Sequence, residues 1–143
     1  MSYATDAELL QEIPEAELIR LTDDRGEGKV DTSVTLWALD RATATIEAHI
    51  PADCGLTVPL SPPPTFIRDI CVLVAHVELM GRKRVPLDEV TKERFQQAMR
   101  MLVRLSEGKI SLQTGLPVQS TEAPRGEAEA EDRVFTRDEL NGM

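Results

Sequence analysis

The run from Phe66 to Met80 is apolar round nearly its whole circumference when wound as a helix, with Ile67, Ile70, Cys71, Leu73, Val74 and Leu79 on different sides. A helix that is apolar on one face lies on a surface, whereas one apolar all round has to be enclosed by other elements. Pro62-Pro63-Pro64 stands just before it, and prolines cannot continue a helix but can begin one. Gly81 follows it and suits a C-terminal cap. These features predict a buried central helix over 65–80. The shorter piece Ile70 to Ala75 would also suit a buried strand, but the length of the run and the lack of partner strands favour the helix. Asp69 and Glu78 interrupt the run, and it is too short and too polar to span a bilayer.

The remaining signals are also helical. Thr5 followed by Glu8 has the form of a capping box, which predicts a helix beginning near Asp6. Pro14 ends that helix or starts the next, and Glu15 to Leu21 forms a short second one, with Leu18, Ile19 and Leu21 apolar. Residues 23–31 read as a polar, glycine-containing loop. A third helix is expected from there to about Ile50, with Leu36, Leu39, Thr43, Ile46 and Ile50 on its inner face and Trp37 packed beside it. Residues 51–64 read as a loop. A fifth helix is expected from Asp88 to Ser106, with Phe95, Ala98, Met99, Leu102 and Leu105 inward and Gly108 as its stop. Ile110 and Leu112 then alternate with polar residues, as a short extended arm does. The predicted fold is all-α: a compact bundle of four to five helices around a buried central helix, with an extended C-terminal arm.

The organisation changes at residue 113. Residues 1–112 form the helical domain, and residues 113–143 form a flexible acidic tail. Gly115, Pro117, Pro124 and Gly126 break structure there, and Glu122, Glu127, Glu129, Glu131 and Asp132 make it acidic. Such a composition buries too little apolar surface to order itself. Its end differs, because Val134, Phe135 and Leu140 return apolar side chains between Arg133, Thr136 and Arg137. An apolar patch on a charged tether suits a docking segment. With a formal net charge of −9, the chain is not suited to coating DNA through phosphate contacts. The N-terminus lacks the form of a signal peptide, so a cytosolic chain with Cys54 and Cys71 as free thiols is expected.

Two patterns invite a metal. Against a calcium loop, Asp23, Glu27, Gly28 and Asp31 fall at the first, fifth, sixth and ninth positions. Arg25 stands at the third, however, and Val34 replaces the bidentate glutamate, so a tight turn with Asp31 as a helix N-cap is the simpler reading. His49 with Cys54 and Cys71 with His76 are five residues apart, and on one helix the second pair points to different sides. No metal or other cofactor is expected. No Gly-x-Ser-x-Gly, phosphate-cradling glycine loop or His-Glu-x-x-His occurs, so no enzymatic activity is expected. Arg82-Lys83-Arg84 is the one basic cluster. It serves either to complement the C-terminal end of the fourth helix or to meet an acidic partner or passing DNA.

The ordered set of segments resembles the small head-tail connector (head completion or adaptor) proteins of Mu-like tailed phages and prophages. The resemblance runs from Tyr3-Ala4-Thr5 through Glu17-Leu18-Ile19-Arg20-Leu21-Thr22-Asp23 and the helix containing Ala42, Ala44, Ile46 and Glu47. It continues through the proline-preceded apolar helix and the Arg94-Phe95 helix ending in Gly108-Lys109-Ile110-Ser111-Leu112, to Arg133-Val134-Phe135-Thr136-Arg137. It implies a virion protein at the capsid–tail junction, present in the host cytoplasm during assembly. It further implies a ring of its own copies, dodecameric to match the portal protein, that meets tail or tail-completion proteins and lets DNA pass without sequence-specific binding. On this reading Arg133, Val134, Phe135, Thr136, Arg137 and Leu140 are the partner-binding residues, together with Arg82, Lys83 and Arg84. The competing readings are a calcium-responsive regulator using the Asp23 loop and a small terminase subunit, which would need a DNA-binding surface. No membrane partner is expected.

Overall fold

A computed structural model describes residues 2–51 and 58–111. It contains α1 (Asp6–Glu12), α2 (Glu15–Thr22), α3 (Thr32–Glu47), α4 (Thr65–Arg82) and α5 (Glu89–Ser106). The helix starts follow from local chemistry. At α1 the Glu8 N–H donates to the Thr5 hydroxyl (3.3 Å) and the Thr5 N–H donates to the Glu8 carboxylate (3.0 Å), closing the capping box. Pro14 caps α2 and its carbonyl accepts from the Leu18 N–H (3.0 Å). Asp31 accepts from the Ser33 N–H (3.0 Å) at α3, and Asp88 from the Thr91 N–H (3.1 Å) at α5.

Helix α4 is the centre of the bundle, as its composition predicts. It meets all four other helices, and α3 lies along it most extensively. Ile67, Cys71, Ala75 and Leu79 of α4 are fully buried, as are Ala38, Leu39, Ala42 and Ile46 of α3. The alanines let the two helices lie close, and each large aliphatic side chain removed from water contributes about 1.5–3 kcal/mol. Leu9 and Ile13 from α1 and its end, Leu18 and Leu21 from α2, and Leu102 from α5 complete the core.

The inner face of α3 differs from expectation. Leu36 is 52 % and Trp37 41 % exposed, while Thr35, Ala38 and Ala42 turn inward with Leu39, Thr43 and Ile46. A periodic count of apolar residues favours Leu36. Thr35 is buried instead because its hydroxyl reaches Asp6 Oδ1 (2.7 Å) and the Thr32 carbonyl (3.0 Å), and a satisfied hydroxyl can be enclosed. Trp37 lies outside under the guanidinium of Arg41, 5.2 Å from the ring centroid. Regular helix stops at Glu47 rather than Ile50, although the Ile50 side chain still closes the core.

The end of α4 also differs. Gly81 lies inside the helix, and Lys83 is the cap. The left-handed residue that reverses the chain is Arg84, at φ 57°. The Arg84 N–H donates to Gly81 O (3.1 Å) and the Val85 N–H to Met80 O (2.9 Å). The end of α5 uses the same pair of bonds around Gly108, at φ 75°, as predicted. Beyond it, Ile110 is buried against the bundle. The rest of the arm and the tail lie outside the described residues.

Candidate docking surface

The 23–31 loop is built as a closed turn. The Asp23 carboxylate accepts from the backbone N–H groups of Arg25 (3.2 Å), Glu27 (3.0 Å) and Gly28 (2.7 Å). Those bonds, Glu27 and Gly28 foremost, hold its pKa below the ordinary carboxylate value. Asp31 serves as the α3 cap, and its pKa is lowered chiefly by Ser33. Asp24 is gripped by Arg82 and, at 2.6 Å, by Lys83. The Arg82 and then the Lys83 hydrogen bond bring its pKa down to about 2. Arg82 also donates to the Leu21 carbonyl near the end of α2 (3.3 Å). The two aspartates that imitate a calcium loop, Asp23 and Asp31, are therefore engaged by backbone amides, while Asp24 between them is held by the end of α4.

This geometry divides the basic cluster. Arg82 and Lys83 tie α4 to the loop, while Arg84 makes no ion pair with a described residue. The other pair of histidine and cysteine is separated. Cys71 lies beside Thr43 of α3 (Sγ–Oγ1 3.6 Å), and burial pushes its thiol pKa up. His76 faces Glu17 of α2 (3.6 Å). His49 reaches the Thr45 carbonyl through Nδ1 (2.8 Å), and Cys54 lies outside the described residues. Among the described residues no three His, Cys, Asp or Glu side chains are grouped as a metal site needs, and no helix is long and apolar enough to cross a membrane.

Between α4 and α5 runs an open groove of about 590 Å³. Ile70 and Leu73 of α4, Ala98 and Met101 of α5, and Ile110 form its apolar floor. Arg94, Arg100 and Arg104 stand along one wall, against a single carboxylate, Asp69. Arg94 is partly committed to Glu12 (2.7 Å). Arg100 and Arg104 make no ion pair with any described residue and are exposed. The arrangement suits an extended segment that carries both carboxylates and apolar side chains, since guanidinium groups bind carboxylates in pairs of parallel hydrogen bonds. The sequence held half of the signal, arginines four apart on α5, but the floor comes from another helix and from Ile110. The tail residues Arg133, Val134, Phe135, Thr136, Arg137 and Leu140 lie outside the described residues.

The fold and surface define a small all-α protein whose charged groups serve turns, caps and a groove. A family model described as Bacteriophage Mu, Gp36 matches residues 3–131. The chain belongs to this family, and so is a Mu-like phage protein. A comparison with curated proteins finds no match.

Proposed function

We propose that the protein is a head-tail connector: a ring between the portal and the tail that completes the head and offers the surface on which the tail docks. Membership of the Mu Gp36 family over residues 3–131 carries this reading. The architecture supports it. A closed helical body with an arginine-lined groove and a tail rich in carboxylates suits assembly with other chains better than chemistry on a small substrate. The calcium alternative loses its motive, because Asp23 already accepts from three backbone amides and Asp31 from the Ser33 N–H as the α3 cap. The partners on this reading are the portal, the tail and further copies of the chain.

Deletion of the gene from its phage tests the role. The expected lysate holds DNA-filled heads and free tails that do not join, and supplying the full-length protein restores infectious particles. Normal particles from the deletion phage, with the protein absent from purified wild-type virions, would overturn the role.

A further inference from the structure

We infer that the α4–α5 groove receives the C-terminal segment of a second copy, with Glu127, Glu129, Glu131 and Asp132 on the groove arginines and Phe135 on its apolar floor. The inference rests on the ring reading and names the contact that would link one copy to the next.

Charge complementarity is the first argument. Within the groove the balance is three arginines to one aspartate, on a chain that is acidic overall. The tail has the opposite balance, with four carboxylates between 127 and 132 and no cation between Arg125 and Arg133. Val134 and Phe135 follow directly, matching a groove that is cationic at the wall and apolar at the floor.

The second argument is reach. Ile110 lines the groove, so the chain leaves the described body within the groove itself. Phe135 stands 25 residues further on. A random-coil chain of that length would span about 25–30 Å, and like charges along it favour the extended end of its range. A helical body of about 110 residues has a radius of gyration near ~13 Å, and so is roughly 30 Å across. In a head-to-tail ring, equivalent points on adjacent copies lie one body width apart. The spacer therefore matches the distance to the neighbour's groove, where effective concentration is greatest when tether length equals span. A segment meant for its own groove needs no such spacer.

Crosslinking in particles tests the contact. Full-length protein with Phe135 replaced by photoreactive p-benzoylphenylalanine is made in isotopically light and heavy forms, mixed equally and supplied to capsids lacking the protein. Mass spectrometry of the irradiated particles is expected to join position 135 to α4–α5 groove peptides, with light–heavy pairs as frequent as same-label pairs. Crosslinks confined to same-label pairs place the segment on its own chain, and crosslinks to another particle protein place it there. Either overturns the inference and leaves the connector role standing, whereas absence of the protein from particles overturns both. A charge swap gives an independent readout. Arg100→Glu with Arg104→Glu should lower incorporation about tenfold through lost and reversed ion pairs. Adding Glu129→Arg and Glu131→Arg to the same chain should restore it, and failure to restore it refutes the pairing.

Discussion

Tyr3 is 4 % exposed although it stands near the N-terminus and ends in a hydroxyl. That hydroxyl donates to Glu47 Oε1 (2.8 Å) and accepts from the Leu60 N–H (3.0 Å), while the Tyr3 N–H donates to Thr43 Oγ1 (3.0 Å). One residue thus fastens the start of the chain, the end of α3 and the proline-rich approach to α4. Burial pushes its pKa up to about 12. Tyr3→Phe keeps the ring but leaves the Leu60 amide without its acceptor, and should lower unfolding stability by about 1–3 kcal/mol in urea titration. Asp24 contributes through its charge. Its folded pKa of about 2 lies below the ordinary carboxylate value, so its stabilisation is present above about pH 4 and is lost as the pH falls toward 2. Urea midpoints measured from pH 5 to 2 should fall more steeply in the wild type than in Asp24→Asn.

At the scale of an element, α4 and the turn that ends it hold two residues that local propensity does not favour. Gly81 is exposed within the last turns, and nothing lies within 4 Å of a Cβ placed there. Gly81→Ala should stabilise the protein by about 0.5–1 kcal/mol, seen as a raised melting temperature. Arg84 adopts the left-handed conformation that Gly108 adopts after α5, at a cost of about 1–2 kcal/mol for a residue with a Cβ. Its side chain is not held by any described ion pair, so Arg84→Gly should also raise the melting temperature. Loss of particle incorporation in that variant would assign the side chain a partner outside the body, the role expected of the basic cluster.

For the whole molecule, the bundle depends on α4, because each of the other helices packs against it. Val74 is 2 % exposed at its middle. Val74→Asp places an unpaired charge there and should destabilise by several kcal/mol. A soluble variant with an unchanged urea midpoint would show that α4 is not the core. By contrast, α5 rests mainly on α4, which leaves the arginine-bearing groove open beside it.

The helices, their order and the central place of α4 were legible in the sequence, because capping residues and an all-round apolar run are local signals that act within a turn or two. The closed turn at residues 23–31 was legible for the same reason, since Asp23 bonds to amides only two to five residues away. What the tertiary structure decided are the pairings made across the chain. Asp24 with Arg82, Thr35 with Asp6 and Tyr3 with Leu60 join residues 58, 29 and 57 apart. Such contacts rotated the buried face of α3 away from Leu36 and paired the still exposed Arg82 and Lys83 with Asp24, and the packing of α5 on α4 set the α5 arginines beside the α4 floor. Apolar periodicity counts residues along one helix; which polar groups are satisfied, and so can be buried, depends on what the neighbouring helices bring to them.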